Sequence, residues 1–404
     1  MALYIATFLG VSDVDNIMLF DSIVQLIDER FFFKDYEHEN EWKENVQLAY
    51  LRHENTNKKE DFYRLVDKLL MSLSDPHTRI NYPKFSSKIF TAELFWSSEK
   101  LYLCRNEDAN VVVKLNGRYI SDIWCEYVIR YKGYSSSLIK NQILQDIKLG
   151  TNSFTQAELT IEIEPTDLHS KIVILPSSVK QLKERAATVM SQLQQLNSLS
   201  SSIFQVPIEN DTILLRILTF KDSNLVYEFN RILRNIKQRT VIIDVRDNGG
   251  GYTSITMELA SLFLKKSISL DYKIVERADS TYKVTIPEIK AGFSSFLADK
   301  KIVIFANSNT MSSAEYIFVK TLKSAGYSVV GEQTCGHPNQ AALFQLLPDL
   351  QLQITSKRFC DDLGYVEKGI LPTIAVRQDP EDYSKGIDSY IKWYKSHSND
   401  LYNK

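Results

Sequence analysis

The chain has little of what metal centres, disulfide scaffolds and membrane spans need. Its 404 residues include only four cysteines, Cys104, Cys125, Cys335 and Cys360, scattered with no C-x-x-C pair. That excludes a zinc ribbon and a disulfide framework. None of the six histidines forms an H-E-x-x-H pair, so no metal and no cofactor are expected. With 48 basic against 50 acidic residues, the net charge of −2 gives no electrostatic reason to bind nucleic acid. No run approaches the ~18 apolar residues of a membrane helix. The opening M-A-L-Y-I-A-T-F-L-G lacks a basic region and runs straight into Asp13 and Asp15. It reads as a strand or buried segment, so the expected compartment is the cytoplasm, or outside it if a leader has been lost.

What is present is an ordinary globular composition, 44% hydrophobic and 24% charged, long enough for two or three domains. Residues 1–85 read as a helical module. Ile17, Phe20, Val24 and Ile27 form one stripe, and Phe62, Leu65, Val66, Leu69, Leu70 and Leu73 form a cleaner one over 57–73. That helix should stop near Ser74-Asp75-Pro76, because the residue before proline avoids helical geometry. His77 then follows a rigid helix end. Residues 86–200 read as a β-rich middle region with one helical stretch, then a helical and serine-rich connector over 178–202. Residues 201–404 alternate strand and helix. Strands are expected at 212–220, 239–245, 270–276, 301–306 and 327–331, helices at 224–237, 252–266, 313–325 and 382–396, and a hairpin at 344–355. The alternation predicts an α/β fold with helices packed on a sheet.

Four stretches can carry chemistry. Asn307–Glu315, N-S-N-T-M-S-S-A-E, lies between the strand-like run Lys301–Ala306 and a helix-like run, where backbone N–H groups point outward unpaired. Ser312 there is a candidate nucleophile, although a plain helix cap uses the same residue types. The run Val241–Asp244 leads into Arg246, Asp247, Asn248 and three glycines. No Lys-Ser/Thr follows, so it is no P-loop, and the spacing fails for a dinucleotide turn. A backbone oxyanion hole or a tight turn with Asp244 and Arg246 paired remains. His77 is a candidate base or a turn residue. Glu367, in Tyr365–Pro372, is a candidate orienting group or a solvated charge.

In order and context these stretches resemble the carboxy-terminal processing and tricorn-core serine peptidases, whose catalytic domain has a crotonase-like (Clp-like) α/β fold. Their D-x-R-x-N-x-G-G turn is matched by Asp244, Arg246, Asn248, Gly250 and Gly251. T-x-S-A-x-E is matched by Thr310, Ser312 and Glu315, with Ser313 in place of alanine. V-V-G-E-x-T-x-G is matched from Val329 to Gly336, and L-x-D-x-H-T by Leu73, Asp75, His77 and Thr78. In E-x-x-G-x-x-P, Gly369 and Pro372 keep their spacing but Glu367 lies one residue too close, which leaves Asp361 or Asp362 as substitutes. The phrase Val113–Gly117 resembles the strand and turn of PDZ-like segments, and equally an ordinary hairpin.

The resemblance implies a serine endopeptidase acting on peptides or unfolded protein segments, without a cofactor. Relatives that activate the serine with lysine carry it where this chain has His337. The tricorn-like alternative implies Ser312 as nucleophile, His77 as base and Glu367 as the orienting group. Gly250 or Gly251 with Ser313 would supply the oxyanion N–H groups, and Ser74, Thr78 or His337 an auxiliary role. A non-catalytic binding protein, or an acyl-thioester enzyme of the same fold, would not need a nucleophilic Ser312.

Overall fold

Apolar runs with no polar alternation, such as Val241–Ile243 and Ile302–Ala306, are the pattern of strands covered on both faces. In the computed structural model they form the middle of a six-stranded sheet. Its strands lie in chain order: Ile203–Glu209, Thr212–Ile217, Thr240–Asp244, Lys301–Ala306, Ser328–Gly331 and Ile374–Ala375. The first pair is antiparallel and all the others are parallel. The structure describes residues 16–398 apart from 34–35, 54–58, 76, 82–87, 90–92, 106–107, 132–134, 150–157, 165–170, 175–176, 179–201, 210, 279–280, 349, 362–363 and 366–367.

Period-two alternation splits the strand residues between two cores. Ile213, Leu215, Val241, Ile243 and Ile304 face Phe229 and Leu233 of the helix Leu225–Asn235 and Leu259 of Thr253–Ser261. Leu214, Ile242, Val303, Phe305 and Val330 face Tyr390 and Tyr394 of the last helix, Ser389–His397. The α/β expectation holds, with one strand displaced. The run expected at 270–276 is Lys273–Ala278, and it lies in a second, antiparallel sheet. Its hairpin partner Thr281–Thr285 follows too closely to allow the crossover a parallel neighbour requires.

The long hairpin Gln340–Leu347 and Leu350–Asp361 anchors that second sheet, and Arg79–Asn81 pairs with Gln351–Gln353 of its second strand. The N-terminal helices Asn16–Arg30 and Lys59–Met71 close over the hairpin, sharing a core with Leu346, Leu350, Leu352 and Ile354. A third helix, Tyr36–His53, lies where the sequence shows only an aromatic cluster on a polar background. It buries Trp42, Val46 and Ala49, spaced four and three apart, amid charged neighbours that mask the stripe.

The middle region is an antiparallel sheet from Leu94 to Ile174 covered by two helices, Ile120–Arg130 and Ser136–Leu149, where one was expected. The connector expected over 178–202 lies almost wholly outside the described residues. No helix among those described is long and apolar enough to cross a membrane.

One buried ion pair ties the parallel sheet to the last helix. Arg246 makes a forked contact with Asp244 (2.7 and 2.9 Å) and a second with Asp388 (2.7 and 2.9 Å), the N-cap of Ser389–His397. It also lies 4.5 Å from the Tyr390 ring centroid. Removing the cation leaves a fully buried Asp244 with the residue-246 backbone N–H at 3.0 Å and, as the cation among the described residues, Arg216 at 3.5 Å. Breaking such a pair costs about 3–5 kcal/mol, and the residual Arg216 contact favours the lower end. Arg246→Ala should therefore lose about 3 kcal/mol in denaturant unfolding; a loss below about 1 kcal/mol would show that the clamp is not structural.

Candidate active site

The glycine turn after Asp244 and the serine turn after Ala306 end neighbouring parallel strands, so both emerge at the sheet's C-terminal edge, where ligands of open α/β sheets bind. Side chains lace the two together. Asp247 accepts from Asn307 (2.9 Å) and Asn309 (2.8 Å) and returns its N–H to Asn307 Oδ1 (2.9 Å). The Thr310 hydroxyl donates to the Val245 carbonyl at 2.9 Å, and the Met311 N–H to that of Asn248 at 3.0 Å. These bonds fix the serine turn before any helix begins.

Ser312 sits on that turn at φ +56°, a left-handed conformation few non-glycine residues adopt. A helix cap does not require it. Gly250, at φ +85°, lies directly beneath. A Cβ there would stand 2.9 Å from Ser312 Cβ and 3.0 Å from both Met311 O and Ser313 N. Behind Ser312 the helix expected at 313–325 starts as a π-helix, Ala314–Val319, and becomes α-helical only over Lys320–Ser324. The Ser312 carbonyl accepts the N–H groups of both Glu315 and Tyr316, at 3.1 and 3.0 Å. Single π turns of this kind recur at functional sites.

Glu315 organises the site. Its fully buried carboxylate accepts from Thr334 Oγ1 (2.7 Å), Gly336 N (2.8 Å), His337 N (2.7 Å) and Ser312 N (3.1 Å). Burial pushes this carboxyl up to about 7, while its four donors pull the other way. The Ser312 N–H also reaches the His337 carbonyl at 3.1 Å, so the serine turn and the His337 loop are fastened twice.

His77 comes from the N-terminal module and meets this loop. Its ring stacks on that of His337 with centroids 3.4 Å apart and planes 19° from parallel. The sheet explains the meeting: Arg79–Asn81 and Gln340–Leu347 lie on either side of the strand Leu350–Asp361 and run in the same direction, so the residues just before each emerge at one end. Asp75 fixes the approach by accepting from the His77 N–H (3.2 Å) and the Thr78 hydroxyl (2.8 Å). Gln353 donates to the His77 carbonyl at 2.9 Å. Burial lowers the His77 pKa to about 4, opposed by Asp75 and reinforced by Arg79 and Arg358. The His337 pKa falls well below its usual value, again chiefly through burial. Both rings are neutral at pH 7.

The structure thus gathers Ser312, His337 and His77 in one continuous site. Thr78 is buried under the His77 turn, its hydroxyl also accepting from Thr355 N at 3.1 Å, and Ser74 ends the preceding helix at φ +49°. Ser313, standing where alanine was expected, uses its hydroxyl as a tie. It accepts from Gly251 N and from Thr256 Oγ1, both at 3.0 Å. The Gly250 N–H is engaged by Asn248 Oδ1 at 2.8 Å, so in this structure both glycine N–H groups expected to face an oxyanion are used within the turns. Glu367 and Asp362 lie outside the described residues, and Asp361 pairs with Gly364 in the sheet ladder.

The middle region also contributes. Asn141 donates to the Ser308 carbonyl at 2.8 Å, and the Ser135 hydroxyl donates to the Cys335 carbonyl. No spacing rule points to these residues. Burial raises the Cys335 thiol far above its usual pKa, so it is packing, not a thiolate nucleophile.

The sequence profile described as peptidase family S41 matches residues 211–376. The likeness to that family spans about two-fifths of the chain. The S41 segment contains the glycine turn, Ser312, Glu315 and His337, and leaves His77 outside it. Carboxy-terminal processing protease CtpB of Bacillus subtilis (strain 168) is 28% identical over 180 residues, 43% of this chain and 35% of CtpB, so only about a third of that relative's length is matched. Over the whole fold the chain is similar to mature CPAF complexed with lactacystin, with 13% identity, 96% of this chain, 98% of the other and a TM-score of 0.68. It is also similar to the tricorn protease, with 14% identity, 96% of this chain, 37% of the other and a TM-score of 0.50. These two likenesses concern the fold, and they extend it beyond the S41 segment to the helical module that carries His77.

Gly250→Ala tests the close approach beneath Ser312. The added methyl meets backbone on two sides at a left-handed φ, a strain of about 1–3 kcal/mol. The variant should stay folded by circular dichroism yet lose about 1–3 kcal/mol in denaturant unfolding; unchanged stability would refute the close approach.

Proposed function

We propose that the chain is a serine peptidase cleaving peptides or unfolded protein segments through an acyl-enzyme on Ser312. The observation that carries this reading is the left-handed Ser312 turn, clamped by Glu315 to a loop whose His337 stacks on His77. Ser312 Oγ attacks the scissile carbonyl carbon as its proton passes to His77. The C–N bond then breaks with that proton delivered to the leaving amine, and water, activated by the same imidazole, releases the acyl group.

A neutral base is required at the first step, and a His77 pKa near 4 supplies one throughout the neutral range. The cost is a weaker base, so imidazolium formed during attack needs a nearby negative charge. Asp75 is the described carboxylate beside His77, and Glu367 is assigned the orienting role by its place in the sequence. The Ser313 N–H, at the start of the π-helix and not used in the bonds that lace the turns, is the oxyanion donor we assign. Gly250 and Gly251 contribute shape. The relative named a carboxy-terminal processing protease supports protein substrates over small acyl thioesters.

A fluorophosphonate probe with adduct mapping tests the reading. Ser312 should be labelled, labelling should fall at least about 100-fold in His77→Ala, and Ser312→Ala should abolish it. Failure of the folded wild-type protein to label would point to a non-catalytic binding protein. Loss in His337→Ala with retention in His77→Ala would transfer the base to His337.

A further inference from the structure

The histidine pair has a third metal-ligating neighbour, Asp75. One ligand atom each from Asp75, His77 and His337 lies within 4.8 Å of the other two. The three come from a helix stop and from a loop some 260 residues later, so no short motif announces them. His77 Nδ1 is buried without a hydrogen-bond partner among the described residues, an unusual state for an imidazole nitrogen.

We propose that Asp75, His77 and His337 form a regulatory zinc site that switches the peptidase off. This rests on the reading of His77 as the general base. Two imidazoles and one carboxylate, with water in the fourth position, are a familiar three-ligand zinc set, and their nitrogen content disfavours calcium or magnesium. Ligand atoms on a tetrahedral zinc are ~3.3 Å apart for bonds of ~2.0 Å. The present spread of up to 4.8 Å is wider, so metal binding requires the stacked rings to turn toward a common point.

The inhibitory logic follows from the imidazole itself. A neutral ring has one lone-pair nitrogen and one N–H. If zinc takes the lone pair of His77, the other nitrogen must carry the proton, and neither can accept one from Ser312. No covalent bond changes, and removing the metal restores the base. Asp75 contributes a single negative charge while Arg79 and Arg358 act on both rings, so binding should be weaker than in a closed structural site.

Cobalt(II) is a visible-absorbing stand-in for zinc, added to the purified full-length chain after chelator treatment and desalting. One equivalent should give saturable d–d absorption without the near-ultraviolet thiolate band that cysteine ligation produces. His337→Gln and Asp75→Asn should each weaken it at least about tenfold. Zinc should suppress fluorophosphonate labelling of Ser312 at least about tenfold, with recovery on adding EDTA. No saturable absorption by the wild-type protein, or unchanged cobalt affinity in a folded His337→Gln, would overturn the site. A protein that labels but binds no cobalt loses the metal site and keeps the peptidase reading. One that binds cobalt but never labels keeps the site, while the peptidase reading and the inhibitory role fall together.

Discussion

A single buried carboxylate holds the candidate site together. Among the described residues, no cation acts on Glu315. Instead two backbone N–H groups and a hydroxyl from residues 334–337, with the N–H of Ser312, converge on its oxygens. Taking a carboxylate out of water is unfavourable unless nearly every lone pair is used. Here all four contacts come from the serine turn and the loop 334–337. The charge therefore fixes at once the strained serine turn, the loop bearing His337, and through the stacked rings the placement of His77. The same Thr334 hydroxyl accepts from Ile370 N at 2.7 Å, which carries the constraint on to Ile370.

The rest of the fold delivers partners to that carboxylate from distant parts of the chain. The parallel sheet sets the glycine and serine turns side by side, and the Arg246 clamp seals its far face with the last helix. The antiparallel hairpin receives the N-terminal helices on an apolar face and aligns the His77 turn with the His337 loop. The middle region reaches the same loop through Ser135 and Asn141. Three separate parts of the chain thus meet at residues 308–337, so disturbance in any one of them is transmitted to Ser312.

Much of this was legible from residue patterns. Lys301–Ala306 and the hairpin near 344–355 carry strong periodic signals, and Ser312, His77 and the glycines stand in motifs of fixed spacing. What could not be read follows from physics that spacing does not encode. Tyr36–His53 hides its stripe among charges, and the strand near 273 joined another sheet because its hairpin partner lies next to it in the chain. Glu315 was visible only as a motif letter, since its role depends on four donors supplied by the fold. The stacking of His77 on His337 and the gathering of Asp75 beside them are tertiary outcomes. Ser313 looked like a minor exchange for alanine, yet its hydroxyl ties the two turns.

The central claim is that the ionised Glu315 carboxylate holds Ser312 and the histidine pair in working register. The pH dependence of the second-order rate of Ser312 labelling by a fluorophosphonate tests it most directly. In the wild type, Glu315 at about 7 titrates above His77 at about 4, so reactivity should fall as pH drops through about 7. Glu315→Gln should react more slowly throughout, and its acid limb should move down toward about 4, where His77 takes over. A variant whose acid limb stays near 7, or whose labelling rate matches the wild type, would contradict the account.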